Sequence, residues 1–289
     1  MILYRQQNVS ASENQVNHAA AQKLKCSKRV ASVTAKTEVS HMSIEVTNLT
    51  KIYKLKRRQT KTAVDNISFT IPTGEIIGFV GPNGAGKSTT IKMLTGILIP
   101  DKGSISINGM TFKKNRRDIM LKIGVVFGQK SVLCWDIPVL DTLKLFKDMY
   151  RVPDSVYQEN MELFKEVLGI DEFINQPPRL LSLGQRMKAD LAASLLYNPD
   201  ILFLDEPTIG IDVLSKERIR DFIKKINAER HTTIILTTHD VSDIETLCEK
   251  MIIINKGSLI YDGTLTDLKT SYQTTDLEEI IKQIYRDGE

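Results

Sequence analysis

Apolar residues run almost without interruption at Ile76 to Val80, Ile201 to Leu204 and Ile234 to Thr237. Such runs are too short for helices, and they predict strands buried on both faces. The last two are each followed by a stretch of helical spacing, the pattern of a parallel sheet covered by helices. Between about Pro138 and Asn198 the apolar positions recur with helical period, predicting helices over Leu140 to Tyr150, Val156 to Leu168 and Leu183 to Leu196. A helical block is therefore inserted into an α/β core. Ahead of it, Ile44-Glu45-Val46 and Ile67-Ser68-Phe69-Thr70-Ile71 read as strands flanking a basic turn over Lys54 to Lys61, and Gly103 to Asn108 alternates again. Thr89 to Ile97 has helical character, and Leu277, Ile280, Ile281 and Ile284 share one face of a terminal amphipathic helix.

Residues 1–41 keep neither period and are rich in Ser, Ala, Gln, Asn and Lys, so they read as a disordered extension. The organised chain is expected over 42–265, with the helical block at about 131–198 and a helical tail over 266–289. No apolar run approaches the roughly 18 residues of a membrane-spanning helix, and the leading segment lacks the apolar centre of a secretory signal. Any membrane role must then pass through a partner. Cys26, Cys134 and Cys248 are odd in number and widely spaced, which predicts neither a disulfide framework nor a zinc site and fits a reducing compartment. The net charge of +4 sits in the leading segment, with six Lys and Arg against two acids, and the remainder is neutral. A neutral body argues against a nucleic-acid surface.

Gly81-Pro82-Asn83-Gly84-Ala85-Gly86-Lys87-Ser88-Thr89 follows a predicted strand and opens a predicted helix. In that context the glycines let backbone N–H groups face phosphate oxygens, Lys87 neutralises the outer phosphates and Ser88 is placed to ligate Mg²⁺. The bland alternative is a Gly-rich turn that binds nothing. Ile201-Leu202-Phe203-Leu204-Asp205-Glu206 is a buried strand that delivers two carboxylates to the carboxyl edge of a parallel sheet, where ligands bind. Asp205 would hold Mg²⁺ and Glu206 would polarise an attacking water. Taken alone, the same pattern also describes a strand that simply leaves the core.

Between these motifs lies Leu181-Ser182-Leu183-Gly184-Gln185, 23 residues ahead of Asp205 when counted from Ser182, a good N-cap candidate for the helix that follows. The pentapeptide resembles the signature motif of ABC ATPases and separates this chain from other phosphate-loop proteins. The usual form has Gly where Leu183 stands, which removes one flexible backbone position while Ser182, Gly184 and Gln185 keep the groups that meet a phosphate. Other positions then resemble family residues one at a time. Gln129 is similar to the glutamine that touches Mg²⁺ or the water and faces the membrane subunit. His239 is similar to the switch histidine at the γ-phosphate. Asp212 is similar to the aspartate that links the two sites of a dimer, and an N-cap role there is compatible. Tyr53, 28 residues ahead of Gly81, is similar to the aromatic that stacks on adenine, or it is a strand tyrosine packed on its neighbours.

The resemblance spans about 42–265. It implies a phosphate-loop NTPase core of mostly parallel sheet, an antiparallel β subdomain and an inserted α-helical subdomain. It also implies ATP and Mg²⁺ as ligands, hydrolysis by Glu206, His239 and Gln129, and a second ATP-binding subunit paired head to tail, most simply an identical one. Multi-helix permease subunits and a place on the cytoplasmic face of the membrane complete what it implies. Val125-Val126-Phe127-Gly128-Gln129-Lys130, Trp135-Asp136, Pro138, the Leu183 form of the signature and Thr208-Ile209-Gly210 together resemble the ABC-2 efflux branch. An importer subunit is the alternative. A soluble ABC ATPase acting on ribosomes or DNA is less favoured, because such relatives carry two domains or long coiled coils. A purely regulatory ATP-binding module is disfavoured because no catalytic position is missing.

Overall fold

A computed structural model describes residues 42–54, 59–128 and 130–287. The reading of residues 1–41 as disordered, and the placement of Gln129, lie outside the described residues. In chain order the strands are β1 (Met42–Lys54), β2 (Thr60–Pro72), β3 (Ile76–Val80), β4 (Lys102–Ile107), β5 (Ile123–Phe127), β6 (Ile201–Asp205), β7 (Thr233–Thr237), β8 (Lys250–Asn255) and β9 (Ser258–Thr264). The helices are α1 (Lys87–Leu94), α2 (Phe112–Met120), α3 (Val139–Tyr150), α4 (Asp154–Leu163), α5 (Leu183–Leu195), α6 (Val213–Arg230), α7 (Val241–Leu247), α8 (Leu265–Tyr272) and α9 (Leu277–Asp287).

Two sheets form. A small antiparallel one has the order β2-β1-β4, and a six-stranded one has the order β5-β6-β7-β3-β8-β9. The larger sheet is parallel except for its last pair, β8 and β9. Its central strands are apolar throughout because each feeds two cores. Ile201 and Phe203 of β6 join Ile235 of β7 in one core with Ile44, Leu49 and Phe69 of the small sheet and with Ile91 and Leu94 of α1. Leu202 and Leu204 join Ile234 and Leu236 in a second core with Leu191 of α5 and Phe222 of α6. Successive strand residues point to opposite faces, so a sheet covered on both sides requires an unbroken apolar run. In the helical layer the rings of Phe164 and Phe222 meet edge to face, with centroids 6.0 Å apart.

The helix expected over Val156 to Leu168 is α4 followed by one π-helical turn, Phe164–Leu168. A single wide turn leaves no trace in a 3.6-residue period. The expected basic turn is shorter than read, since Lys54 pairs with Thr60 and Tyr53 with Lys61, so both ends of it belong to strands. Helix α2 was not expected, because Ile119 is its one fully buried residue and its remaining positions are mostly charged. The hairpin of β8 and β9 also went unread; its turn residues Lys256 and Gly257 both take positive φ, 48° and 82°, as a two-residue hairpin demands. No helix among the described residues is long and apolar enough to cross a membrane.

Candidate active site

Strand β3 delivers the phosphate loop and α1 receives it. Gly86, with φ 110°, is the left-handed hinge before α1, and a Cβ there would run into the Ala63 carbonyl of β2, so glycine is the residue that fits. The loop is pinned at Ala85, whose N–H donates to the Pro82 carbonyl at 3.1 Å and whose carbonyl accepts from Gly257 N–H at 2.9 Å. Asn83 and Gly84 stand exposed at its tip, and Gly81 is buried at its base. Lys87 is buried, and its Nζ donates to the Gly81 carbonyl at 2.5 Å and to that of Pro82 at 3.2 Å. Burial pushes its ammonium pKa down, while the carboxylates of Glu206 and Asp205 push it back up. Ser88 is exposed and Thr89 half-buried in the first turn of α1, where backbone N–H groups have no intrahelical acceptor.

The acids stand at the adjacent strand end. Asp205 lies in register with Phe127 on one side and Thr237 on the other. Thr237 Oγ1 donates to Asp205 Oδ1 at 2.5 Å, which orients that carboxylate. Glu206 leaves the strand with φ 56°, a conformation unfavourable for a residue with a Cβ. Its N–H donates to the Thr237 carbonyl at 2.9 Å, and its Oε1 lies 3.0 Å from His239 Nε2. Gly128 closes the far side. Its N–H donates to the Asp205 carbonyl at 2.7 Å, and a Cβ on it would stand 2.5 Å from the Glu206 carbonyl oxygen. Gly128 therefore packs directly against the backbone of both acidic residues.

Ser182 caps α5 with a reciprocal pair. Its Oγ accepts from Gln185 N–H at 3.2 Å, and its own N–H donates to Gln185 Oε1 at 3.0 Å. Leu183 packs over Gly210, where an added Cβ would lie 3.1 Å from Leu183 Cδ2, so the side chain foreign to the usual motif covers the loop that follows Glu206. Gly184 is buried against Ser215 and Ile211. Asp212 caps α6 by accepting from Ser215 N–H at 2.9 Å, and this bond holds its carboxyl below the usual carboxylate range. The signature residues and Asp212 thus meet through Ile211 and Ser215, and a cavity of about 260 Å³ joins Gly210 to Glu206 and His239. Tyr53 is partly exposed in β1, opposite Lys61 of β2, two residues before the Ala63 that touches Gly86.

Residues 64–209 match the family model described as ABC transporter. The chain belongs to that family. It is 32% identical over 237 residues to the ABC transporter ATP-binding protein NatA of Bacillus subtilis, covering 82% of this chain and 96% of NatA. It is 33% identical to the Nod factor export ATP-binding protein I of Ralstonia nicotianae, covering 78% of this chain and 70% of that protein. It is also 32% identical to the methionine import ATP-binding protein MetN 1 of Oenococcus oeni, covering 82% and 67% respectively. Among solved structures, the dimeric post-hydrolysis state of the ATP-binding cassette MJ0796 bound to ADP and Pi superposes with a TM-score of 0.69 at 27% identity, covering 77% of this chain and 98% of that one. The protein is an ABC transporter ATPase subunit, with the phosphate-loop α/β fold.

Several residues of this ABC ATPase escaped the sequence reading. Thr237 looked like the polar end of an apolar strand, and nothing local showed that it orients Asp205. Asp240 caps α7 and pairs with Lys216 at 2.8 Å, which holds its carboxyl down at about 2. Asp190 of α5 is buried and accepts from Ser131 Oγ at 2.7 Å and Val132 N–H at 2.9 Å; burial pushes its carboxyl up to about 6. It ties the signature helix to the segment just past residue 129. An Asp in an otherwise apolar helical face was the available signal for it.

Proposed function

We propose that this ABC ATPase energises an ABC-2 type exporter through a separate membrane permease, working as a homodimer on the cytoplasmic face of the membrane. The observation that carries the chemistry is the 3.0 Å contact of Glu206 with His239 at the sheet edge opened by the phosphate loop. In this reading Lys87 exchanges its two loop carbonyls for phosphate oxygens, and the N–H groups of Gly81 through Thr89 line the remaining oxygens. Ser88 and Asp205 offer the hydroxyl and carboxylate oxygens that a hard cation takes, so the donor set fits Mg²⁺, with Gln129 as a third ligand. Bound there, Mg²⁺ supplies charge neutralisation at the transferring phosphoryl group. Glu206 polarises the attacking water, His239 orders it, and Tyr53 stacks on the adenine. Ser182, Gly184 and Gln185 of one copy meet the nucleotide held by the other, with Asp212 between the two sites. Residues 42–265 form the nucleotide-binding domain, the block at 131–198 transmits its state to the permease, and 266–289 form a tail.

Export is supported by the Phe127-Gly128-Gln129, Trp135-Asp136 and Thr208-Ile209-Gly210 features and by likeness to a protein named for Nod factor export. Likeness to a methionine import protein favours the second reading, an importer subunit. The test is affinity purification from membranes, identification of what co-purifies, and an ATPase assay of wild type beside Glu206→Gln. An efflux permease recovered with Glu206-dependent activity is the expected result. A substrate-binding protein with an importer permease would reverse the direction, and near-normal hydrolysis by Glu206→Gln would remove the role given to that residue.

A further inference from the structure

We propose that Asp243 is a positioning residue for hydrolysis, a single buried carboxylate that anchors the Glu206 loop and the His239 loop to each other. The inference rests on the roles given above to Glu206 and His239. Asp243 lies in α7 and is fully buried. Its Oδ2 accepts from Thr208 Oγ1 at 2.5 Å and from Thr238 Oγ1 at 3.0 Å. Thr208 is two residues past Glu206, Thr238 immediately precedes His239, and both threonines are buried. Each catalytic side chain is thus tethered, through its own loop, to one carboxylate group.

The tether answers a need visible elsewhere in the site. Glu206 holds a left-handed conformation at φ 56°, which persists only where surrounding contacts over-determine it. Thr237 fixes its N–H from one side, and the Thr208 bond fixes the chain beyond it. The His239 side chain is 47% exposed, so its place is set mainly from the backbone. A carboxylate this deeply buried needs a cation, and Arg220 of α6 supplies it, with Nε donating to Asp243 Oδ1 at 2.7 Å. One turn earlier, Lys216 holds Asp240 at 2.8 Å, so α6 grips the chain that follows His239 at two points, Asp240 and Asp243. Asp240 N–H also donates to Thr238 Oγ1 at 3.0 Å, so the Thr238 hydroxyl is held both as donor and as acceptor.

The test uses the full chain with MgATP. Thr208→Val and Thr238→Val each remove one hydroxyl from Asp243 and keep the branched shape, while Thr208→Ser keeps the donor. Misplacing a catalytic group by about 1 Å can lower turnover about a hundredfold, so each valine variant is expected to lose about 10- to 100-fold in kcat with KM within about threefold of wild type. Thr208→Ser should stay within about threefold in both. Asp243→Asn, which loses the charge paired with Arg220, should show the same kcat-selective loss and serves if a valine variant does not fold. Glu206→Gln is run alongside to separate the two readings. Wild-type kcat in folded valine variants beside an inactive Glu206→Gln overturns the anchoring role alone, whereas an active Glu206→Gln overturns the catalytic assignment beneath it. A loss that Thr208→Ser shares in full also overturns the anchoring role.

Discussion

Replacing Asp190 by Asn should make the protein's stability less sensitive to pH, by an amount the structure sets. Asp190 is 3% exposed, and burial raises its carboxyl from 3.8 to about 6 against the opposing pull of its bonds to Ser131 and Val132 and the nearby Arg186. The native state therefore holds a proton that the unfolded chain releases between those two values. Stability from this group is fully present below about 3.8 and is lost as pH rises through about 6. At roughly 1.4 kcal/mol per tenfold, the ionised form is disfavoured by roughly 3 kcal/mol at neutral pH. Asn cannot ionise, and its Oδ1 can still accept from Ser131 and Val132. The assay is urea unfolding of both proteins at a series of pH values from 4.5 to 8. Asp190→Asn should gain on wild type steadily between pH 4.5 and 7 and then run parallel to it. Curves that stay parallel throughout would refute the reasoning, because every other titrating group is common to both proteins.

Three further outcomes follow from the site and the core. Tyr53→Ala should raise KM for ATP about tenfold with kcat little changed, since stacking a base on an aromatic ring contributes about 1–3 kcal/mol, and Tyr53→Trp should restore it in the same steady-state assay. Gly128→Ala should lower kcat about a hundredfold, because its Cβ would stand 2.5 Å from the Glu206 carbonyl; a variant with wild-type turnover would show that the acid loop yields freely. Phe222→Ala, at a fully buried ring packed on Phe164, should lower unfolding free energy by about 3–5 kcal/mol in denaturant titrations.

What could be read from the chain was whatever physics writes locally. The phosphate loop was legible because Gly86 must bend where only glycine can and Lys87 must open a helix. Strand β6 was legible because burial on both faces leaves no polar residue until Asp205. Ser182 and Asp212 were legible as caps because a cap is a relation over three residues. The relations that were lost span the chain. Thr237 and Asp205 are 32 residues apart and Thr208 and Asp243 are 35 apart, and no periodicity links such pairs. Leu183 was read as a lost flexible position, whereas its side chain packs on Gly210, a neighbour visible only in three dimensions. Helix α2 was missed because one buried isoleucine among charged residues is too thin a signal.

The two-sided burial of β6 also bears on how faithfully the acids are placed. Leucines fill one core and Ile201 and Phe203 the other, so sliding this strand by one position against β5 and β7 would exchange the two sets and mispack both layers at once. Such a slip would carry Asp205 and Glu206 about 3.3 Å along the strand axis. The position of the strand end that carries Asp205 and Glu206 is thus quantised by the packing of both layers, and intermediate placements are not available to it. Thermal agitation or a partner's pull can tilt or rotate this layer as a body, but it cannot shear the carboxylates out of line with the loop from β3.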